Sequence, residues 1–485
     1  MRILLLLLFV GLFLPKLTAQ PQVTITNGYV GKPILPLDSG YLFSKSLAPD
    51  EIFYRWDLKS FSKTEILDGE FESTVWFRMT PFPIIATPSY RYITEPYFLN
   101  DIQIQGPTIS KKVFFIKAQN PKGTVFLFHK ESSTSNEWTP NFYDQFQLVK
   151  VLHYYGYTVV FFDCEERATS TELNNDSLVN WQLLPHSVEN NVDYQTCDSV
   201  IKGLRSNEVI GENEAIYAIG HGNGGKFAHG FAELFNAKAS VVINSEPNSS
   251  ISAIEQEVPL MFNVCINDKN VQNARNQRYV DSLNNTGKCA SIHYTRPTPL
   301  YPEVFARTGR IPMDISRKLF VELDTNGVLN DSNYLIPTQS EVINDVVANP
   351  SKWPQARFLN SSYSTSFIRQ LSISRAENEF NSNRVSAIVD FLEFPCQVNT
   401  SVSSENVSTN ASTLYIVGKD GYVSIPQSYQ QDENIIIVSL LGTMIPLPIT
   451  QNNNGEIVID FRHQQNGVYF LYDRFGIFVT IVKNH

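Results

Sequence analysis

The chain has only five cysteines, Cys164, Cys197, Cys265, Cys289 and Cys396, and no two of them stand in Cys-x-x-Cys spacing. That gives neither a thioredoxin-type redox motif nor a zinc pattern. His129, His153, His186, His229 and His293 are scattered and form no His-x-x-x-His pair, so no metal site is indicated and no cofactor is expected. Lys and Arg form no dense block, and the net charge is -10, which argues against a nucleic-acid partner. Charged residues are scarce at 18%, against 42% hydrophobic and 12% aromatic, a balance that excludes disorder as the dominant state. An unbroken apolar run of the roughly 20 residues needed to span a bilayer is also missing. The stretch "IIIVSLLGTMIPLPI" (435–449) is interrupted by Gly442, Pro446 and Pro448 and is rich in β-branched residues, which suits strands and turns.

What is present begins with an export signal. Arg2, an apolar run of about a dozen residues from Ile3 to Leu14, then Pro15 and the small Ala19 have the layout of a signal peptide spanning residues 1–19. An exported chain meets oxidising conditions, and an odd cysteine count leaves at least one thiol unpaired within a monomer. Cys265 and Cys289 are one candidate pair, although sequence alone does not fix the connectivity. Residues 20–107, with frequent aromatics, Pro and Gly, read as an irregular β-rich region.

The texture changes over residues 108–397. The apolar runs "GTVFLF", "GYTVVFFDC", "AIYAIG", "ASVVINSEP" and "VPLMFNVCIND" alternate with stretches of helical periodicity such as "FYDQFQLVKVLHYY". Such alternation implies βαβ units and an α/β fold with a mostly parallel sheet covered on both faces. A strand is expected near Ile368–Ser374, then a helix carrying Val385, Ile388, Val389 and Leu392. Residues 295–360, with a helix in "RKLFVELDTNG", read as a cap. "ELDTNGVLNDSN" within it has Glu322 and Asn333 where a calcium loop wants Asp and Glu, so a plain turn is expected. Residues 398–413 are a Ser/Thr/Asn-rich linker, and 414–485 a compact strand-rich module.

The chemistry turns on "AIYAIGHGNGGKFAHG", a buried strand, a glycine-rich turn and a helix start. The turn Gly220-His221-Gly222-Asn223-Gly224 is one residue away from Gly-x-Ser-x-Gly, the elbow that exposes a serine nucleophile. The order of elements from Gly123 to Leu392 resembles the α/β-hydrolase superfamily. The resemblance places the nucleophile position at Gly222, the acid at Asp268 directly after "VPLMFNVCIND", and the base at Asn378, where family members read Ala-Glu-His-x-Phe. It also puts His129, Lys130 and Asn223 at the oxyanion positions, where the family has His-Gly and further glycines.

Each departure has a chemical consequence. Glycine supplies no hydroxyl, so no acyl-enzyme forms at position 222. The Asn378 amide is neither a useful base nor a useful acid near neutral pH. The elbow conformation costs a side-chain-bearing residue of order 1–3 kcal/mol, and glycine largely removes that penalty. The expectation is a pseudo-hydrolase that keeps the fold and binds a ligand or partner. Three alternatives stay open: an unrelated glycine turn, an active esterase-type hydrolase with a displaced site, and a purely structural surface protein. Ser245 is the one nearby hydroxyl, without an evident base. His221 flanks the elbow centre and is expected to pack locally.

The final module ends "GEIVIDFRHQQNGVYFLYDRFGIFVTIVKNH". It resembles the type A C-terminal sorting domain of the type IX secretion system, through the strand with Asp460, the segment Gly467-Val468-Tyr469-Phe470-Leu471 and a last apolar strand closing with Lys483. The resemblance implies the secretion machinery as partner and a cell-surface or secreted location outside a Gram-negative cell. A small sandwich-like carbohydrate or adhesion module is the alternative.

Overall fold

The computed structural model describes residues 23–395, apart from 32–38, 61–63, 80–83, 95–96, 172–177, 253–254 and 360, and then the strands between 413 and 483 with residues 461 and 462. The expected export signal, residues 1–19, and nearly all of the expected linker lie outside the described residues. The chain divides into two compact units, Met1–Gln397 and Val398–His485.

The first unit starts with seven short strands, β1 (Val23–Ile25), β2 (Gly28–Val30), β3 (Ser39–Ser44), β4 (Glu51–Lys59), β5 (Glu65–Asp68), β6 (Thr74–Arg78) and β7 (Ile84–Tyr92). They form a three-stranded and a four-stranded sheet around a core of Leu42, Trp56, Val75, Phe77 and Ile84. Next come β8 (Asn100–Gln105), β9 (Ser110–Ile116), β10 (Gly123–Phe128), β11 (Tyr157–Phe161), β12 (Ile216–His221), β13 (Ser240–Ile243), β14 (Leu260–Cys265) and β15 (Ala290–Thr295). These make one eight-stranded sheet in the order β15-β14-β13-β12-β10-β11-β9-β8. From β11 to β15 all pairings are parallel, while β9 runs antiparallel to both β11 and β8. The large sheet therefore begins before residue 108, with β8 as its edge. This mixed α/β unit with a mostly parallel sheet agrees with the α/β-hydrolase arrangement expected from the element order.

Every residue of β10 is buried, because both faces of the sheet are covered. Phe126 and Phe128 point into one core and Val125 and Leu127 into the other, the two-residue period of a strand. The helices are α1 (Tyr143–Tyr154), α2 (Glu165–Thr169), α3 (Val192–Ser206), α4 (Asn223–Leu234), α5 (Asn273–Asn285), α6 (Met313–Thr325), α7 (Gln339–Ala348), α8 (Ser361–Arg375) and α9 (Val385–Glu393). Phe227, Ala228, Phe231 and Ala232 of α4 join the first core, and Phe146, Val149 and Leu152 of α1 join the second. Residues 295–360 form a helical body with its own core around Leu300, Leu319, Leu323 and Trp353, into which Phe43 of β3 also packs.

Two sequence expectations are corrected. Residues 368–374 are helix, not strand: Phe367, Gln370, Leu371 and Ser374 are buried at i, i+3, i+4 and i+7, a helical spacing. Cys265 and Cys289 do not pair. Leu260 stands opposite Ala290, and Cys265 lies five residues further along a parallel strand, roughly 17 Å at 3.3 Å per residue and far beyond the reach of a disulfide. Cys164, Cys197 and Cys265 are buried free thiols, and Cys289 is disulfide-bonded to a partner outside the described residues.

In the second unit, Thr413–Ile416, Gly476–Lys483, Gly467–Asp473 and Ile436–Ser439 form one sheet in that order. Tyr422–Ile425, Ile457–Asp460 and Ile449–Gln451 form another. The three segments carrying the sorting-domain resemblance thus fall on strands. Much of 435–449 lies outside the described residues. No helix among the described residues is long and apolar enough to cross a membrane.

Candidate functional site

The turn after β12 is a sharp one. Gly222 caps α4 with φ 57° and ψ -126°, a region that L side chains rarely enter. Its N–H donates to Ile243 O of the neighbouring strand at 2.9 Å, and its carbonyl accepts from Gly225 N–H at 2.9 Å. Gly224 lies against the end of β10: a Cβ there would come within 2.5 Å of the Phe128 and His129 carbonyl oxygens. Glycine at 224 is thus what lets the helix start dock on the next strand.

The loop after β10 does something that its sequence does not announce. Glu131 turns its carboxylate onto the elbow, where Oε2 accepts the Asn223 N–H at 2.8 Å. A Cβ added at Gly222 would meet that same oxygen at 2.3 Å and Lys130 Cβ at 3.0 Å. The space above the elbow is therefore filled by a carboxylate. The Asn223 amide, the oxyanion donor that the resemblance implies, is already in use. Its side chain is fixed as well, since Asn223 Oδ1 accepts from Trp181 N–H at 2.7 Å.

Around Glu131 the loop is held from all sides. His129, fully buried, accepts the Cys164 N–H at Nε2 and donates from Nδ1 to Lys130 O at 2.9 Å, the pattern of a neutral ring. Burial holds its pKa below the ordinary value, although Asp163 and Glu137 push the other way. Trp181 Nε1–H donates to His129 O at 3.0 Å, and Ser132 N–H donates to Val179 O at 2.8 Å. Lys130 Nζ donates to Glu379 Oε1 at 2.6 Å, and Lys130 N–H to Glu137 Oε2 at 3.0 Å. Glu137 Oε1 in turn accepts from His221 Nδ1 at 2.5 Å, and both side chains are fully buried. Burial alone would raise the Glu137 carboxyl, but His221 and Lys130 outweigh it and hold it well below the carboxylate range. His221, beside the elbow centre, is thus tied to a buried carboxylate.

Asp268 sits three residues after β14. Its Oδ1 accepts the Asn270 N–H at 2.8 Å, while Oδ2 is buried without a partner. Burial raises its pKa, and the surrounding groups that act on it include His221, Lys130 and Glu131. The 376–380 loop lies beside the end of β14: Asn267 N–H donates to Ala376 O at 3.0 Å, and Cys265 Sγ donates to Glu379 O at 3.4 Å. Asn378 lies in this loop, its Oδ1 buried without a partner. The structure thus brings the loops of Lys130, Gly222, Asp268 and Asn378 to the same edge of the sheet. Ser245 is buried, its Cβ 3.0 Å from where a Gly225 Cβ would lie.

Chemically, this edge offers no hydroxyl or thiol at the elbow and no imidazole at the base position. The Glu131 carboxylate occupies the Asn223 N–H, whereas stabilising an oxyanion takes donors that are free and preorganised. Glu379 does not supply the missing base, because Lys130 and Arg369 outweigh its burial and hold its carboxyl low. Sequence reasoning placed Glu131 among the side chains that crowd the oxyanion loop but missed its contact with the elbow, and it missed Glu137 altogether. The visible signal was the run His129-Lys130-Glu131, with side chains where glycines were expected. Among the described residues no cluster of ligating side chains fits a metal ion.

No family model matches the sequence, and no curated protein matches it. Among solved structures, the chain is similar to an esterase of Pyrococcus furiosus at 14% identity, over 41% of this chain and 83% of that one, with a TM-score of 0.30. An α/β serine hydrolase without lid from Xanthomonas campestris is similar at 13% identity, over 41% and 86% of the two chains, with a TM-score of 0.31. The acylaminoacyl peptidase of Pyrococcus horikoshii is similar at 10% identity, over 55% of this chain and 51% of that one, with a TM-score of 0.30.

Proposed function

We propose that this protein is an exported, non-catalytic member of the α/β-hydrolase class, a pseudo-hydrolase that binds a ligand or partner at the cell surface. The observation that carries the reading is Glu131: its carboxylate accepts the Asn223 N–H and stands 2.3 Å from where a Gly222 Cβ would be. A nucleophile could not be added at that position without moving it. Gly222 and Asn378 supply neither the nucleophile nor the base of a triad. The chain is expected to leave the cytoplasm through its 1–19 signal and to cross the outer membrane by the type IX route through residues 414–485.

Treatment with a fluorophosphonate together with a panel of short-chain esters tests the catalytic half. No serine should be labelled and no ester turned over above buffer; covalent labelling at any serine overturns the reading. For the address, deletion of Leu414–His485 should leave the protein in the periplasm, and undiminished secretion of the truncated chain would rule out the sorting role.

A further inference from the structure

Residues 179–185 run beside the elbow without belonging to any helix or strand. Backbone N–H groups outside regular structure need other acceptors, and here three in a row find side chains on three different elements. Asn180 N–H donates to Glu166 Oε2 of α2 at 2.6 Å, Trp181 N–H to Asn223 Oδ1 of α4 at 2.7 Å, and Gln182 N–H to Asp193 Oδ2 of α3 at 2.7 Å. From the other side, Asn191 Nδ2–H donates to Gln182 O at 2.8 Å and to Pro185 O at 3.2 Å. Glu166, Asn191 and Asp193 are themselves buried.

Trp181 is the anchor of this strap. Its buried ring stacks on Phe227 with centroids 4.7 Å apart and stands edge-on to Phe128 and Phe162. Its Nε1–H donates to His129 O at 3.0 Å, and two residues earlier Val179 O accepts the Ser132 N–H at 2.8 Å. Ser132 has φ 56°, a left-handed backbone that a residue with a Cβ keeps only where its surroundings hold it. The strap thus grips the loop after β10 on both sides of Lys130-Glu131. Asn223 joins the strap to the elbow directly: its side chain accepts from Trp181, and its backbone N–H donates to Glu131 Oε2 at 2.8 Å.

We infer that residues 179–182 are a strap that locks Glu131 over the elbow, and that strap and carboxylate open as one cooperative unit. Such units are set by shared contacts rather than by chain order. A ligand that reaches the elbow then has to release both. The inference deepens the binding role proposed above, and rests on it for that ligand alone.

Cys164 reports the opening. It shares a core with Trp181, and its N–H donates to His129 Nε2 at 3.2 Å, so a thiol reagent reaches it once the strap lifts. Cys265, at the end of β14 and outside that core, reports wider unfolding. The full secreted chain is exposed for long periods to N-ethylmaleimide under native conditions, and each thiol is followed by mass spectrometry. Trp181→Phe keeps an aromatic ring and removes the indole N–H. Glu131→Ala removes the carboxylate, which among the described residues makes no hydrogen bond to the strap. Both should speed Cys164 labelling by about fivefold or more and leave Cys265 within about twofold of the parent. Glu131→Gln, which keeps an acceptor, should fall between Glu131→Ala and the parent. Asn223→Ala replaces Trp181→Phe should that variant fold poorly. The inference is overturned if either end of the unit leaves Cys164 unchanged, if Cys164 and Cys265 rise together, or if Glu131→Gln opens as readily as Glu131→Ala. The readout needs neither ligand nor ester, so failure here leaves the fluorophosphonate result untouched and is distinguishable from failure of the non-catalytic reading.

Discussion

Placing a serine at the elbow should be costly in a way that depends on Glu131. Gly222 sits at φ 57° and ψ -126°, and a residue with a Cβ held there is strained by about 1–3 kcal/mol. A Cβ would also stand 2.3 Å from Glu131 Oε2, so the carboxylate has to swing away. Swinging costs the hydrogen bond from Asn223 N–H, and bonds to charged groups are worth about 1.5–3 kcal/mol net, less where water replaces the lost partner. Gly222→Ser should therefore destabilise by about 2–5 kcal/mol, about 1–3 from the strain and about 1–2 from the hydrogen bond once water is allowed to replace part of it. In a Glu131→Ala background that hydrogen bond is already gone, and the same substitution should cost only the backbone strain and the 3.0 Å approach of Lys130 Cβ.

The coupling between the two positions should therefore be about 1–2 kcal/mol, with the pair less damaging than the singles suggest. Urea unfolding of the four proteins measures it. Additivity within about 0.5 kcal/mol would refute the placement of Glu131 over the elbow, because distant side chains do not couple. The same series carries a catalytic arm. Gly222→Ser alone should remain inactive on esters, since Asn378 cannot take its proton. Gly222→Ser with Asn378→His and Glu131→Gly frees both the position and the Asn223 donor, and should give slow but measurable turnover. The parent protein should give none.

Other perturbations read the scaffold. Arg307 is buried, pairs with Asp144 and donates to Ser382 Oγ at 2.5 Å, so Arg307→Ala should destabilise by about 3–5 kcal/mol in chemical denaturation by stranding that carboxylate. A loss below about 1 kcal/mol would contradict it. Desolvation lifts the Glu72 carboxyl from 4.5 to about 8 in the folded protein. The folded chain then holds a proton that the unfolded chain has released, so this group's contribution falls as pH rises from about 4.5 to about 8. Glu72→Gln should gain stability relative to the parent across that window and level off above it; parallel pH profiles would count against it. Burial raises the Cys164, Cys197 and Cys265 thiols, with Cys265 pushed up to about 12. A maleimide at neutral pH should therefore label these three only after denaturation, as counted by mass spectrometry.

How much of this was legible in the sequence depends on the range of the interaction. The strands of the parallel sheet were visible because "GTVFLF" and "AIYAIG" are apolar throughout, which only a strand covered on both faces requires. The elbow was visible because its geometry is local, set by glycines within five residues. Residues 368–374 misled because "FIRQLSIS" mixes β-branched and polar residues in near alternation. The face that decides the matter, Phe367, Gln370, Leu371 and Ser374, is defined by what α8 packs against. The pairs His221–Glu137 and Lys130–Glu379 join positions far apart in the chain, and no periodicity links them.

Glu131 belongs to that second group, and it ties the sequence departures together. Read along the chain, Gly222 at the elbow, Asn378 at the expected base position and the side chains of the loop after β10 look like three separate departures from the family pattern. In space the first and third are one: the carboxylate of Glu131 lies where a side chain at 222 would begin, so the present Glu131 rotamer requires glycine at the elbow. The reverse also holds, because a bare elbow leaves the Asn223 N–H at a helix start in need of an acceptor, and Glu131 provides one that the helix start favours. Restoring serine alone must then fail twice, once for want of a base and once because the position is occupied. That is why the decisive variant changes three residues rather than one.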